Sequence, residues 1–340
     1  MPTVALPYTD ADMSVAISEM TPTFGELAPS GLFSEERIST SVVQVRREGD
    51  TIVALPAVER GGPATEANRL DKDAIFLPVP HIPHRDTLRP EEIQDMQDVD
   101  GSRITFEAEF SKRLARMRRR HDITHEYMAW LALTGRVVDG ANAVIHDLYA
   151  IFGITKKTVN FFLTTAGTDV LAKCEEVYAH IEDNLKGEVM TGVEARVSPE
   201  FFNALIAHAK VEKYYVNYVN AMQIANAARV DTSGQTTGRI FLFGNILFRE
   251  KRGTISTADG QSSRFMAANR GVAMPTGAGS TFAQVHAPPT TRSGVNRRPS
   301  ELITVTTQDL PHDAGVEFKT QSNPMFLAKR PALLVDLQLA

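Results

Sequence analysis

His121 and His125, four residues apart with Asp122 next to the first, have the spacing in this chain best suited to metal chemistry. On a helix, positions i and i+4 share a face, and zinc peptidases use such a pair with an acid inside it to hold the metal and a general base. Here the acid is an aspartate, one methylene shorter than the usual glutamate, and Arg118, Arg119 and Arg120 stand immediately before the pair. A cluster of cations opposes capture of a dication. The expectation is two histidines on a helix surface, with no metal, no cofactor and no catalytic residue. A zinc peptidase at His121 and His125 is kept as an alternative. His81, His84 and Asp86 fall within six residues, but Pro80 and Pro83 restrict how they converge, so they read as a solvated loop.

Lys112, Arg113, Arg116, Arg118, Arg119 and Arg120 form the densest charge run. Carried on a helix, residues 112–120 could grip DNA, which is a second alternative. The run contains no aromatic residue on which a base could stack. The whole chain holds 36 basic and 41 acidic residues, a net charge of -5, whereas phosphate binding calls for a basic surface. Glu91, Glu92, Asp95, Asp98, Asp100, Glu107 and Glu109 precede the cluster. An acidic end followed by a basic end suits pairing between neighbouring copies. Pairs within the helix, such as Glu109 with Arg113, are the plainer reading.

These residues need a long helix to position them. Phe106, Phe110, Leu114 and Met117 form one apolar stripe, and Ile123, Tyr127 and Trp130 another, so a helix is predicted from about Ile104 to Leu133, on the order of 45 Å long, stopped by Gly135. Short strands at Arg136–Val138 and Ala143–His146 follow, joined at Asp139 and Gly140. The segment to about Ser34 carries Pro2, Pro7, Pro22 and Pro29 and reads as an extended arm without a core. Ile38 to Val58 reads as a long hairpin, with one strand through Val42, Val43 and Val45 and the return through Ile52, Val53 and Leu55. Arg47-Glu48-Gly49-Asp50 forms its turn. A two-stranded ribbon is marginal alone, so it should lie on something else.

Farther on, Val170, Cys174, Val177, Ile181 and Leu185 mark a helix capped by Thr168, with Asp169 at its positive end and Gly187 past its close. Ser198 and Pro199 open another, whose predicted buried face is Phe202, Leu205, Ile206 and Ala209. Ile240–Phe243 and Ile246–Phe248 read as strands about Gly244 and Asn245. Met274 to Pro299, rich in Gly, Pro, Ser and Thr, reads as a long surface loop. The chain closes on a strand through Leu333, Val335, Leu337 and Leu339.

With 340 residues, one cysteine and 43% hydrophobic content, the composition is that of a soluble globular protein of one or two cores, with no intrachain disulfide. No secretory signal opens it, and no apolar run reaches the roughly 18 residues a membrane helix needs.

The order of parts, together with Arg60-Gly61-Gly62 after the hairpin, Leu133-Thr134-Gly135-Arg136 after the long helix, and the closing run from Glu317-Phe318-Lys319-Thr320-Gln321-Ser322 to Asp336-Leu337-Gln338-Leu339-Ala340, resembles the phage major capsid protein E family, the lambda-like tailed-phage capsid subunits, over essentially the whole chain. The resemblance implies an α+β fold of the Hong Kong 97 type. Its parts would be an N-terminal arm (1–34), an E-loop hairpin and link (35–88), a peripheral domain with the spine helix (89–158 and 305–332) and an axial domain (159–304 and 333–340). It implies a non-enzymatic shell subunit that forms hexamers and pentamers, enclosing double-stranded DNA without sequence-specific binding. Scaffolding, portal and decoration proteins would be its partners, with assembly in the host bacterial cytoplasm and residence in the virion. Expected interface residues are Val43, Val45, Arg46, Arg47, Glu48, Asp50 and Arg60 on the E-loop. On the spine helix they are Lys112, Arg113, Arg116, Arg118, Arg119 and Arg120. Some members of this fold weld the shell through Lys–Asn bonds, but Lys72 is the only lysine between Ser34 and Leu77, well past the hairpin tip, so a non-cross-linked shell is implied.

Overall fold

The computed structural model describes residues 9–20, 25–27, 30–47, 73–94, 105–224, 238–256, 260–278 and 281–340. The long helix spans Phe106–Ala132, 27 residues or about 40 Å. Thr105 caps it by accepting from the Ala108 amide, and Phe110, Leu114, Met117, Tyr127 and Trp130 are buried along it. Gly135 lies just past its end at φ 78°, a left-handed backbone that only glycine adopts without strain. The predicted strands follow at Arg136–Val138 and Val144–Asp147.

Two hydrophobic cores flank this helix, and a third lies apart from it. One gathers around Trp130, Tyr127, Leu133, Phe282 and Phe326. It includes a three-stranded sheet in which Phe282–His286 lies between Ser34–Arg37, parallel, and Pro324–Ala328, antiparallel. A second lies at the other end of the helix, where Phe110, Leu114 and Met117 meet Leu88, Val305 and Phe318 of the sheet Thr304–Asp309, Val316–Ser322, Ile82–Leu88. The third belongs to a six-stranded mixed sheet ordered Lys157–Asn160, Val335–Gln338, Arg270–Thr276, Gly192–Val197, Ile246–Glu250, Ile240–Phe243. Helix Val170–Leu185 packs Val170, Cys174, Val177, Ile181 and Leu185 onto it, at the spacing read from the sequence.

Several expectations are corrected. The arm is not without a core: Asp10–Glu19 is helical, because Thr9 and Asp12 form a reciprocal capping box and Met13 and Ile17, four apart, reach the second core. The prolines at 2, 7 and 22 lie outside that span. The first strand of the hairpin, Val42–Arg47, pairs antiparallel with Asp73–Pro78, Arg47 facing Asp73. The return strand expected through Ile52, Val53 and Leu55, its turn at Glu48–Asp50, and Arg60 lie outside the described residues. Met274–Pro299 is not one loop, since Phe282–His286 is a buried central strand and Met274, Pro275 and Thr276 end another. Pro275 is tolerated beyond Ala273, the last position paired with the C-terminal strand. Asp169, not Thr168, is the N-cap of its helix, while the Thr168 hydroxyl donates to the Phe162 carbonyl at 3.0 Å. Helix Pro199–Ala207 buries Phe201 with Phe202 and Leu205, and Ala209 is exposed beyond its end. Among the described residues, no helix is long and apolar enough to cross a membrane.

Gly135→Ala should destabilise the subunit by roughly 2–4 kcal/mol, from the positive φ and from overlap with Tyr149. A Cβ there would stand 2.4 Å from the Tyr149 ring. Urea unfolding of the unassembled chain measures this; an unchanged midpoint would refute the strain.

Candidate assembly interface

The histidine pair sits inside the protein, which corrects its expected place on the helix surface. His121 is almost wholly buried and His125 partly so. His121 Nδ1 lies 2.9 Å from the Ser322 hydroxyl and Nε2 3.0 Å from that of Thr320, while His125 Nε2 lies 3.0 Å from Ser322 Oγ. One neutral arrangement satisfies all three contacts. His125 donates to Ser322, Ser322 donates to His121 Nδ1, and His121 Nε2 donates to Thr320, which donates onward to the His84 carbonyl at 3.3 Å. Burial, then His84 and Arg118, push His121 down to about 4; burial, then His121, His286 and Arg118, hold His125 well below the usual range. His286, buried on the strand Phe282–His286, is also pushed down to about 4, chiefly by burial, with Glu35 opposing and Arg37 assisting. His84 is lowered by burial and by Arg120, whose Nη1 donates to it at 2.9 Å. His81 turns to Asn323, at 2.7 Å, and does not join His84 and Asp86. Among the described residues, no group of three or more His, Cys, Asp or Glu is placed to hold a metal ion.

The basic cluster divides in two. Arg118 is buried, donating to Asp122 at 2.8 Å and to the Ile17 carbonyl at 2.8 Å. Arg113 donates to Glu92 at 2.6 Å, to Glu109 at 3.3 Å and to the Thr87 carbonyl at 2.9 Å. Both bond partners within their own chain. Guanidinium, with five donors in a fixed fork, suits such multiple bonding. Lys112, Arg116, Arg119 and Arg120 remain exposed. Nothing in the charge pattern distinguishes inward from outward arginines; rotation about the helix axis does, since at 3.6 residues per turn Arg113 and Arg118 flank the stripe of Phe110, Leu114 and Met117, and Arg116 and Arg119 turn away from it.

The ribbon divides likewise by strand alternation. Val43 and Val45, expected to face a neighbour, pack with Ile75 against their own core. Gln44 and its cross-strand partner Phe76 point away, and Phe76 is 64% exposed. Alternation about Ile75 and Leu77 could have revealed Phe76, had Asp73–Pro78 been recognised as the partner strand. The side chains of Arg46 and Arg47 lie outside the described set.

A third feature was not foreseen. Glu126, buried on the long helix, accepts from the amides of Glu26 at 2.9 Å and Leu27 at 3.1 Å and from the Trp130 indole at 2.8 Å. Gly25 makes the approach possible: a Cβ there would stand 3.1 Å from Glu126 Oε2. The Glu26 carboxylate then bonds Arg196 and, at 2.5 Å, Lys251. Both cations lie over Trp130, at 5.5 and 4.6 Å from the ring. Burial opposes ionisation of Glu26, but the two cations prevail and hold it below the usual carboxylate range.

These parts are a long helix, a two-stranded ribbon with one face on its own core, an N-terminal segment pinned across two cores and a helix-covered six-stranded sheet. The pattern of Phage major capsid protein E matches residues 9–339. The chain belongs to that family. This major capsid protein is 27% identical to the major capsid protein of Salmonella phage Felix O1 over 96% of this chain and 95% of that one. It is 29% identical to the major capsid protein of Pseudomonas phage KPP10, over 90% and 89%. In fold it matches a crystal structure assigned to the capsid protein of an E. coli CFT073 prophage, with a TM-score of 0.59 and 12% identity over 99% of this chain and 100% of that one. The fold is the α+β Hong Kong 97 type, and the capsid protein forms the head shell of a tailed phage.

Two outcomes follow. Glu126→Ala would strand three donors at a buried site and cost roughly 3–5 kcal/mol, read as a shifted urea midpoint. The neutral histidines make stability pH-dependent. Their folded values lie below the unfolded 6.5, so their contribution is complete above pH 6.5 and is lost as pH falls toward 4. His121 and His286 contribute on the order of 3 kcal/mol each. His121→Asn should reduce the drop in midpoint between pH 7 and pH 4.5 relative to the parent. An equal drop in both proteins would show that His121 is not a source of it.

Proposed function

We propose that this capsid protein builds the head as hexamers and pentamers, with the Val42–Arg47 and Asp73–Pro78 ribbon laid on the adjoining subunit. The observation that carries this is Phe76, a large apolar side chain held out on a two-stranded ribbon whose other face is spent on its own core. An aromatic so exposed is what a neighbouring surface covers. Lys112, Arg116, Arg119 and Arg120 supply the spine helix's share of intersubunit charge pairing; Arg113 and Arg118 serve the subunit itself.

The division into arm, E-loop, peripheral and axial parts is supported by the separate cores, with one change. Phe282–His286 pairs with Pro324–Ala328, so residues from about 280 to 304 go with the peripheral part rather than the axial one, while Val335–Gln338 stays in the six-stranded sheet. The shell encloses double-stranded DNA without gripping it, a reading supported by the net charge of -5 and by the partners that Lys112, Arg113, Arg118 and Arg120 have within their own chain. Its role is structural rather than catalytic; both nitrogens of His121 are engaged by hydroxyls, which leaves neither free for zinc. Assembly takes place in the host cytoplasm with scaffolding and portal proteins, and a decoration protein holds the finished shell in place of covalent cross-links.

The test is assembly of the chain with its scaffold, followed by sedimentation and electron microscopy. The parent should form megadalton shells. Phe76→Asp, at an exposed site, should leave a folded subunit that sediments as monomers or small oligomers. Normal shells from Phe76→Asp would overturn the ribbon's role, and a parent that never assembles would overturn the whole reading.

A further inference from the structure

Helix Val170–Leu185 carries unlike surfaces at its two ends. Beside its first turn is a groove of about 690 Å³, where Leu171, Tyr214 and Leu242 stand 50%, 63% and 52% exposed. Leu242 points outward from Ile240–Phe243, the edge strand of the six-stranded sheet, and the Tyr214 ring rests on Phe243 at 5.8 Å. Lys210 and Lys213 line the groove, the Lys210 ammonium giving one of its hydrogens to the Gly167 carbonyl at 3.0 Å. Asp169 also lines it, but its carboxylate is engaged as the helix cap, accepting from Ala172 at 3.3 Å.

Beyond the last turn, Val189 is 81% exposed, more than any other large hydrophobic among the described residues. Glu182 and Asp183 stand exposed in that turn, with Lys186, the exposed C-cap, just past it. Carboxylates at the negative end of a helix dipole are unfavourable unless a cation offsets them. Arg330 meets the carbonyls of Asn184 and Leu185 there, while neither Glu182 nor Asp183 has an ion pair among the described residues.

The groove and the Val189 turn are complementary in balance: apolar with two ammonium groups against apolar with the two carboxylates of Glu182 and Asp183 and the single ammonium of Lys186. They lie at opposite ends of one 16-residue helix, about 24 Å apart, so one chain cannot join them. A second copy can. Unlike patches on opposite ends of a rigid element make a head-to-tail contact, which closes into a ring when the rotation per copy permits. We propose that the Val189 turn of one subunit seats in the Leu171–Tyr214–Leu242 groove of the next, with Glu182 and Asp183 facing Lys210 and Lys213. This rests on the shell reading and specifies which surfaces close its rings.

The experiment places Leu171→Cys and Val189→Cys in the full chain, assembles shells with the scaffold, oxidises them and runs non-reducing gels. Cys174 does not compete, being buried with its thiol pushed up to about 12 by that burial and by Glu175. The expected result is a ladder of covalent oligomers that collapses with reductant and is missing from each single variant. Assembled shells that yield only monomer overturn the proposal, whether the groove takes another protein or another segment of its own chain. Should the cysteine pair itself block assembly, charge exchange decides. Lys213→Glu and Asp183→Lys should each lower the assembled fraction about tenfold, and combining them should restore most of it. A combination no better than either single change overturns the proposal. Failure of the parent to assemble would instead count against the shell reading.

Discussion

The carboxylate of Glu126 is the contact on which the rest of the architecture leans. A buried charge is tolerable only when its lone pairs are filled, and here three N–H donors fill them. Two of those donors belong to the N-terminal segment, so satisfying the helix's own charge fixes the path of a chain a hundred positions away. Once Glu26 is held there, its side chain can reach only toward the six-stranded sheet, where Arg196 and Lys251 wait over the Trp130 ring. Cores that share little apolar surface are thereby linked by polar contacts of definite geometry.

The same economy appears along the helix. Arg118 and Asp122 are four apart and buried together, and Arg118 also takes the carbonyl of Ile17 at the end of the N-terminal helix. Burial pushes the Asp122 carboxyl up while Arg118 pulls it down. One turn farther, neutral imidazoles and hydroxyls replace ions. The helix thus holds the sheet beneath it with hydrogen bonds of neutral imidazoles and hydroxyls, and the N-terminal segment with charged side chains, Arg118 and Glu126, that bond its backbone carbonyl and amides.

Much of this was legible in the sequence where periodicity acts alone. The Phe110–Met117 stripe, the Val170–Leu185 repeat, the Ser198-Pro199 opening and the Gly135 stop each depend on nearest neighbours along the chain. What could not be read depends on partners far apart in sequence. Arg113 and Arg118 flank the apolar stripe, but Thr87, Glu92 and Ile17, which they bond, are brought to them only by the fold. The burial of the His121–His125 pair is not legible locally, because Ser322 and Thr320, which bond it, lie some two hundred positions later. Phe282–His286 was hidden by composition: glycines and prolines on either side masked five residues that supply a central strand. Thr9 and Asp12 did carry a readable capping signal, which the surrounding prolines obscured.

The long reach of Glu26 also sets an order of events in time. Its contacts span 100 positions to Glu126, 170 to Arg196 and 225 to Lys251. Synthesis at about 5–20 residues per second puts roughly 10–45 s between translation of Glu26 and translation of Lys251. The long helix and its local turns need no such wait. The junction can close only after most of the chain has left the ribosome, so the beginning of the protein is among the last parts to find its place.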